Sequence, residues 1–150
     1  MSPVALAKGD RLPEPQARGA GRMYTDDLEF DDRGLVAAVV CDHETNEVLM
    51  LGYMNEEALR QTVETGRATF FSRSRQKLWV KGETSGHLQH LRWIRLDCDG
   101  DALLLGVEQV VGACHLGYRS CFFRELRNGA WEVIAERVFD PDQVYEPGPD

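Results

Sequence analysis

The sequence predicts a mainly β fold with one or two short helices, α+β by count, and three observations carry that prediction. About six short runs rich in β-branched and aromatic residues read as strands. Polar turn signals separate several of them in hairpin fashion, at residues 42–46, at Asp99-Gly100 and at Asn128-Gly129. A helix start followed by a helix stop is clear in one segment alone, which opens at Asn55.

Residues 1–24, with Pro3, Pro13 and Pro15 and no hydrophobic period, read as a mobile N-terminal arm. Residues 34–41 form the first strand; the polar turn returns the chain into a second over residues 47–53. Asn55 caps a helix, Glu56 and Glu57 complement its positive end, and Gly66 stops it. Ala58, Leu59, Thr62 and Val63 are expected to face the sheet. Residues 68–72 and 78–81 are strands flanking the basic bend Arg73-Ser74-Arg75-Gln76-Lys77. Residues 88–96 and 102–110 pair across Asp99-Gly100, and residues 122–126 and 131–138 pair across Asn128-Gly129. Residues 140–150 read as a mobile tail, which leaves one domain over residues 25–139.

A chain of 150 residues is one domain with a real core. Its formal net charge of −8 repels phosphate backbones and argues against general nucleic-acid binding, so any phosphate must be held by a local basic pocket. The absence of a long apolar run or a signal-peptide core predicts a cytoplasmic protein without membrane association. Four cysteines in such a chain are expected to be reduced, for metal binding, catalysis or core packing.

Two clusters carry chemistry. In Asp97-Cys98-Asp99-Gly100-Asp101 three carboxylates crowd a hairpin tip, where a hard divalent cation would relieve their repulsion. A solvated acidic turn has the same appearance. A calcium loop lines up through Glu108, but its obligatory glycine is replaced by Ala102 and both flanks read as strands. The second cluster is Gly112-Ala113-Cys114-His115-Leu116-Gly117-Tyr118-Arg119-Ser120-Cys121. Thiolate and imidazole suit Zn²⁺. Cys98, Cys114 and Cys121 lack Cys-x-x-Cys spacing and would otherwise be small buried hydrophobes. Three thiolates would leave a fourth zinc position open for water, as in a catalytic site. His115 beside Cys114 suits a general base. Cys41 reads as core, His43 and His90 as surface or structural histidines, and His87 as a possible pocket residue in a glycine loop.

Arg73, Ser74, Arg75, Lys77 and Lys81 are the dense basic stretch of an acidic protein and precede Gly82-Glu83-Thr84-Ser85-Gly86. Guanidinium forks and free amides can grip phosphate there, although a solvated hairpin loop has a similar composition. Trp79 between them reads as core.

At these residues the chain resembles the phosphoribosyl-AMP cyclohydrolase family of histidine biosynthesis. The matching blocks are Glu47-Val48-Leu49-Met50-Leu51-Gly52-Tyr53-Met54-Asn55, Phe71-Ser72-Arg73-Ser74-Arg75, Leu78-Trp79-Val80-Lys81-Gly82-Glu83-Thr84-Ser85-Gly86, Leu96-Asp97-Cys98-Asp99-Gly100-Asp101, and Ala113-Cys114-His115 through Cys121-Phe122-Phe123-Arg124. The resemblance implies hydrolytic opening of the N1–C6 bond of 1-(5-phosphoribosyl)-AMP to the phosphoribosyl-formimino aminoimidazole carboxamide nucleotide, the third step of the pathway. It implies Mg²⁺ on Asp97, Asp99 and Asp101, and Zn²⁺ on Cys98, Cys114 and Cys121 drawn from both subunits of an intertwined homodimer with a barrel-like fold of twisted sheets. His115 would assist the attacking water, and Arg73, Arg75, Lys81 and Ser85 would contact phosphate. The fused phosphoribosyl-ATP pyrophosphohydrolase domain common in the family is expected to be absent, giving one step rather than two. Ala37, Cys41, Leu116 and Tyr118 depart from the usual pattern, and the last two flank the expected site. Two other readings compete: a purine deaminase, whose His-x-Glu and Pro-Cys-x-x-Cys signature is missing and which would release ammonia, and a non-catalytic module stabilised by its metals.

Overall fold

The computed structural model describes residues 23–144; the arm and tail expected at 1–24 and 140–150 fall mostly outside that range. After a 3-10 turn at Tyr24–Asp27 come β1 (Val36–Asp42), β2 (Val48–Met54), α1 (Glu56–Thr65), β3 (Thr69–Ser72), β4 (Lys77–Val80), β5 (Gln89–Leu96), β6 (Ala102–Gln109), β7 (Arg124–Arg127), β8 (Ala130–Val133) and the short α2 (Pro141–Val144). The fold is mainly β with two short helices, and no helix among the described residues is long and apolar enough to cross a membrane.

The central sheet has the order β2-β1-β6-β5. Its β1–β2 and β5–β6 hairpins are antiparallel, and they join through a parallel β1–β6 pairing that sets Val39 opposite Leu104 and Val40 opposite Leu105. Both central strands are apolar almost throughout, as a strand covered on both faces requires. The sheet is open, with β2 and β5 at its edges, and β3–β4 and β7–β8 form separate two-stranded ribbons. The barrel-like expectation is corrected accordingly: among the described residues no strand pairing closes the sheet.

One face packs on α1 and β3 around Val40, Leu49, Met54, Leu59, Phe70 and Leu105, all essentially inaccessible to solvent. Helix α1 forms as its caps predict. Asn55 Oδ1 accepts from the Ala58 N–H at 2.8 Å, and Gly66 ends the helix with φ +73° while donating to Thr62 O. Thr62 is fully buried, and its hydroxyl donates to Ala58 O and accepts from the Thr69 N–H, tying the helix to β3. Val63, expected on the same face, is instead 45 % exposed. It follows Thr62 directly, and neighbouring helix positions point about 100° apart. Cys41 lies in the core, where burial pushes its thiol up. Trp79 is half-buried and packs on Phe70 with ring centroids 5.1 Å apart.

Candidate functional site

The β5–β6 hairpin presents the acidic tip. Asp97 Oδ1 accepts from the N–H groups of Asp101 and Ala102, and Glu29 donates from its backbone to Gly100 O at 2.7 Å, bracing the turn from the N-terminal side. One carboxylate oxygen from each of Asp97, Asp99 and Asp101 lies within 4.8 Å of the others, and all three residues are exposed. Crowding divides their acidity. Asp101 is pushed up, first by hydrogen bonding to Asp97 and then by the charges of Asp97 and Asp99. Asp97 is held below its ordinary value, because a desolvation cost is outweighed by hydrogen bonds from Ala102, Asp101 and Gly100. A hard cation would replace the shared proton, so the donor set fits such an ion.

The second cluster is a tight loop after β6. Ala113 donates to Arg119 O at 2.9 Å, Cys114 to Tyr118 O at 3.1 Å and Gly117 to Cys114 O at 3.1 Å. Gly117 takes φ +103°, a region that favours glycine, and a Cβ there would meet Phe139 O at 2.6 Å. The loop is riveted to β2: Ser120 Oγ donates to Val48 O and the Cys121 N–H to Leu49 O, each at 2.7 Å. These bonds hold Cys121 beside Cys114, where its thiol donates to the Cys114 sulfur. The Cys114 thiol is pulled down to about 6 by the hydrogen bond from Cys121, against burial, with help from the Leu116 N–H and the His115 charge. Cys121, as donor, is pushed up. A thiolate already held beside a second sulfur is a donor set that fits a soft cation. Cys98 lies exposed on the acidic tip. Among the described residues the aspartates form the one group of three or more potential ligands whose atoms gather this closely, so Cys98 does not join Cys114 and Cys121 within a single chain.

His115, exposed at the loop's edge, shares a groove of 370 Å³ with Ser74, Arg75, Lys81, Thr84 and Ser85. The basic bend and the glycine loop thus face the thiol loop. Lys81 also bridges them, since its Nζ donates to Ala113 O at 2.5 Å. Arg73 lies apart from the groove: its guanidinium stacks 3.9 Å above the Tyr53 ring, and it lines a separate depression with Arg33, Phe71 and Gln76. Leu116 is exposed, and Tyr118 stacks on Phe123 at 3.8 Å. His87 is buried behind the groove and meets Phe139 edge-on. Burial, then the nearby Lys81 charge, hold its imidazole below the ordinary value.

Sequence reasoning passed over Arg119 and Asp42. Arg119 Nη2 donates to Asp42 Oδ2 at 2.5 Å and Nη1 to Val111 O at 3.0 Å, which locks the thiol loop to the ends of β1 and β6. Partners 77 residues apart leave no spacing signal.

The groove brings a basic, hydroxyl-bearing wall and the His115 imidazole together beside the thiol loop, an arrangement suited to an enzyme acting on a small molecule. The family model described as Phosphoribosyl-AMP cyclohydrolase matches residues 50–123. Proteins named phosphoribosyl-AMP cyclohydrolase are similar along most of their length: one from Methanosarcina barkeri is 59 % identical over 123 residues, covering 79 % of this chain and 93 % of the relative. One from Salinibacter ruber is 54 % identical over 121 residues, covering 81 % and 95 %. A histidine biosynthesis bifunctional protein from Thermoanaerobacter pseudethanolicus is 51 % identical over 120 residues, covering 80 % of this chain and 56 % of that protein. The chain belongs to the phosphoribosyl-AMP cyclohydrolase family.

Proposed function

We infer that this chain hydrolyses the N1–C6 bond of 1-(5-phosphoribosyl)-AMP, opening the adenine ring to the phosphoribosyl-formimino aminoimidazole carboxamide nucleotide in the third step of histidine biosynthesis. The observation that carries the reading is that His115, the neighbour of Cys114, shares one groove with Arg75, Lys81 and Ser85 in a chain of this family.

Cys114 and Cys121 would hold Zn²⁺, and the aspartates of the acidic tip Mg²⁺. Bound zinc supplies Lewis acidity that makes water a nucleophile near neutral pH. Arg75 and Lys81 offer cations and Ser85 a hydroxyl to a phosphate, fixing the ring relative to the loop. His115 takes the proton of the water that adds to C6 and returns a proton as the C6–N1 bond breaks, so N1 leaves and the former C6 becomes the carboxamide carbon.

A third thiolate must come from elsewhere, and Cys98 of a second copy completes the set in a homodimer acting in the cytoplasm. Phe122, Leu126, Trp131 and Val133, each more than half exposed around the β7–β8 ribbon, supply an apolar surface suited to burial against that copy. Turnover of phosphoribosyl-AMP by purified protein, followed by the ultraviolet change on ring opening, tests the reading. Activity should vanish on chelation and return with Zn²⁺ and Mg²⁺; a folded, metal-loaded protein with no turnover would refute it.

A further inference from the structure

We propose that Arg119, held by Asp42, is the positioning residue that sets Cys114 and Cys121 at the separation a thiophilic divalent ion requires. The proposal rests on the reading of those two cysteines as zinc ligands.

Arg119 occupies the segment between the two cysteines, and its side chain reaches three separate parts of the scaffold. Nη2 meets Asp42 Oδ2 at 2.5 Å at the end of β1, and Nε lies 3.6 Å from Glu47 Oε1 across the β1–β2 turn. Nη1 donates to Gln109 O at 3.2 Å and Val111 O at 3.0 Å at the end of β6. Its own carbonyl accepts from Ala113, the neighbour of Cys114, while Ser120 and Cys121 beyond it are bonded to β2. The guanidinium thus ties the backbone segment between the two cysteines to the ends of β1 and β6. Only arginine offers a planar fork that serves a carboxylate and two carbonyls together; a lysine ammonium is a point charge without that geometry.

The pair differs from an exposed ion pair of small worth. Asp42 is 12 % exposed at its side chain and Arg119 is 32 % exposed. Burial works to raise the Asp42 carboxyl, yet the N–H groups of Glu44 and Thr45 and the Arg119 guanidinium outweigh it and hold the group ionised. Neither residue belongs to the apolar core cluster, and the loop's bonds to β2 do not depend on them. Their loss should thus loosen the cysteine pair while leaving the fold standing.

Asp42→Asn is the cleanest perturbation. Oδ1 accepts from Glu44 and Thr45 and survives in asparagine, whereas Oδ2, which meets Arg119, becomes an N–H donor. Zn²⁺ affinity would be measured by competition with a chromophoric chelator, and coordination by the thiolate–Co²⁺ absorption spectrum. The full chain, Asp42→Asn, Arg119→Gln, Arg119→Lys and Cys114→Ala would be compared, with Arg92→Gln, which breaks the surface pair to Glu108, as control. The proposal predicts Zn²⁺ binding weakened about ten- to a hundredfold in Asp42→Asn and Arg119→Gln, a shifted Co²⁺ spectrum, no rescue by lysine and no change in Arg92→Gln. Wild-type affinity and spectrum in a folded Asp42→Asn protein would overturn it, even where Arg119→Gln fails to fold. Unaltered Zn²⁺ binding in Cys114→Ala would instead overturn the ligand reading beneath it, and the proposal with it.

Discussion

The hydrogen bond between Cys114 and Cys121 makes a prediction that can be worked through in numbers. The Cys114 thiol lies at about 6 against 9.0 for an unperturbed cysteine. At pH 7 about nine-tenths of Cys114 is therefore thiolate, where an unperturbed thiol is about one-hundredth ionised. The leading cause is the proton donated by Cys121, so Cys121→Ala should move the Cys114 titration up toward the ordinary value. The assay is ultraviolet thiolate absorbance of metal-free protein across pH. Wild type should show one of its four thiols ionising near pH 6. Cys121→Ala and Cys114→Ala should both lose that step. Stability carries the same sign: over the window from about 6 to 9 the unfolded chain holds a proton that folded Cys114 has released, so Cys114 contributes stability that increases as pH rises through it. A first thiolate appearing only above pH 8 in wild type, or an unmoved midpoint in Cys121→Ala, would refute the reasoning.

Other consequences are simpler to read. His115→Ala should lower turnover about a hundred- to ten-thousandfold while Zn²⁺ content stays at the wild-type level, measured by steady-state kinetics beside metal analysis. Asn55→Ala removes the acceptor for the Ala58 N–H and should cost about 1 kcal/mol in chemical unfolding, with turnover of the folded protein unchanged. Gly106→Ala would set a Cβ 2.1 Å from Cε2 of Trp93 and should destabilise by about 1–3 kcal/mol, seen as a lower unfolding midpoint.

Local physics made much of this molecule legible in its sequence. Asn55 and Gly66 bound α1 because a cap and a left-handed stop are written in single residues. Asn128 and Gly129 both take positive φ, as a tight hairpin turn demands. The acidic tip was visible because its three carboxylates are near neighbours on one turn. What stayed hidden depends on distant partners. The parallel pairing of β1 with β6 brings together strands far apart in the chain, and hairpin signals report only adjacent ones. The open sheet follows from that pairing, which the barrel-like outline implied by the family resemblance does not contain. Asp42, in a polar turn, and Arg119, inside the cysteine cluster, carry no sequence signal of one another because the fold alone joins them. Arg73 and Arg75, two residues apart in a basic bend, fall on different surfaces because the turn between β3 and β4 separates them.

The account stands most directly on the identity of the product. Phosphoribosyl-AMP incubated with the zinc- and magnesium-loaded protein in ¹⁸O-labelled water should give a ring-opened nucleotide heavier by one water, with the label in the carboxamide oxygen and no ammonia released. Release of ammonia with the purine ring intact, or recovery of unchanged substrate, would contradict it.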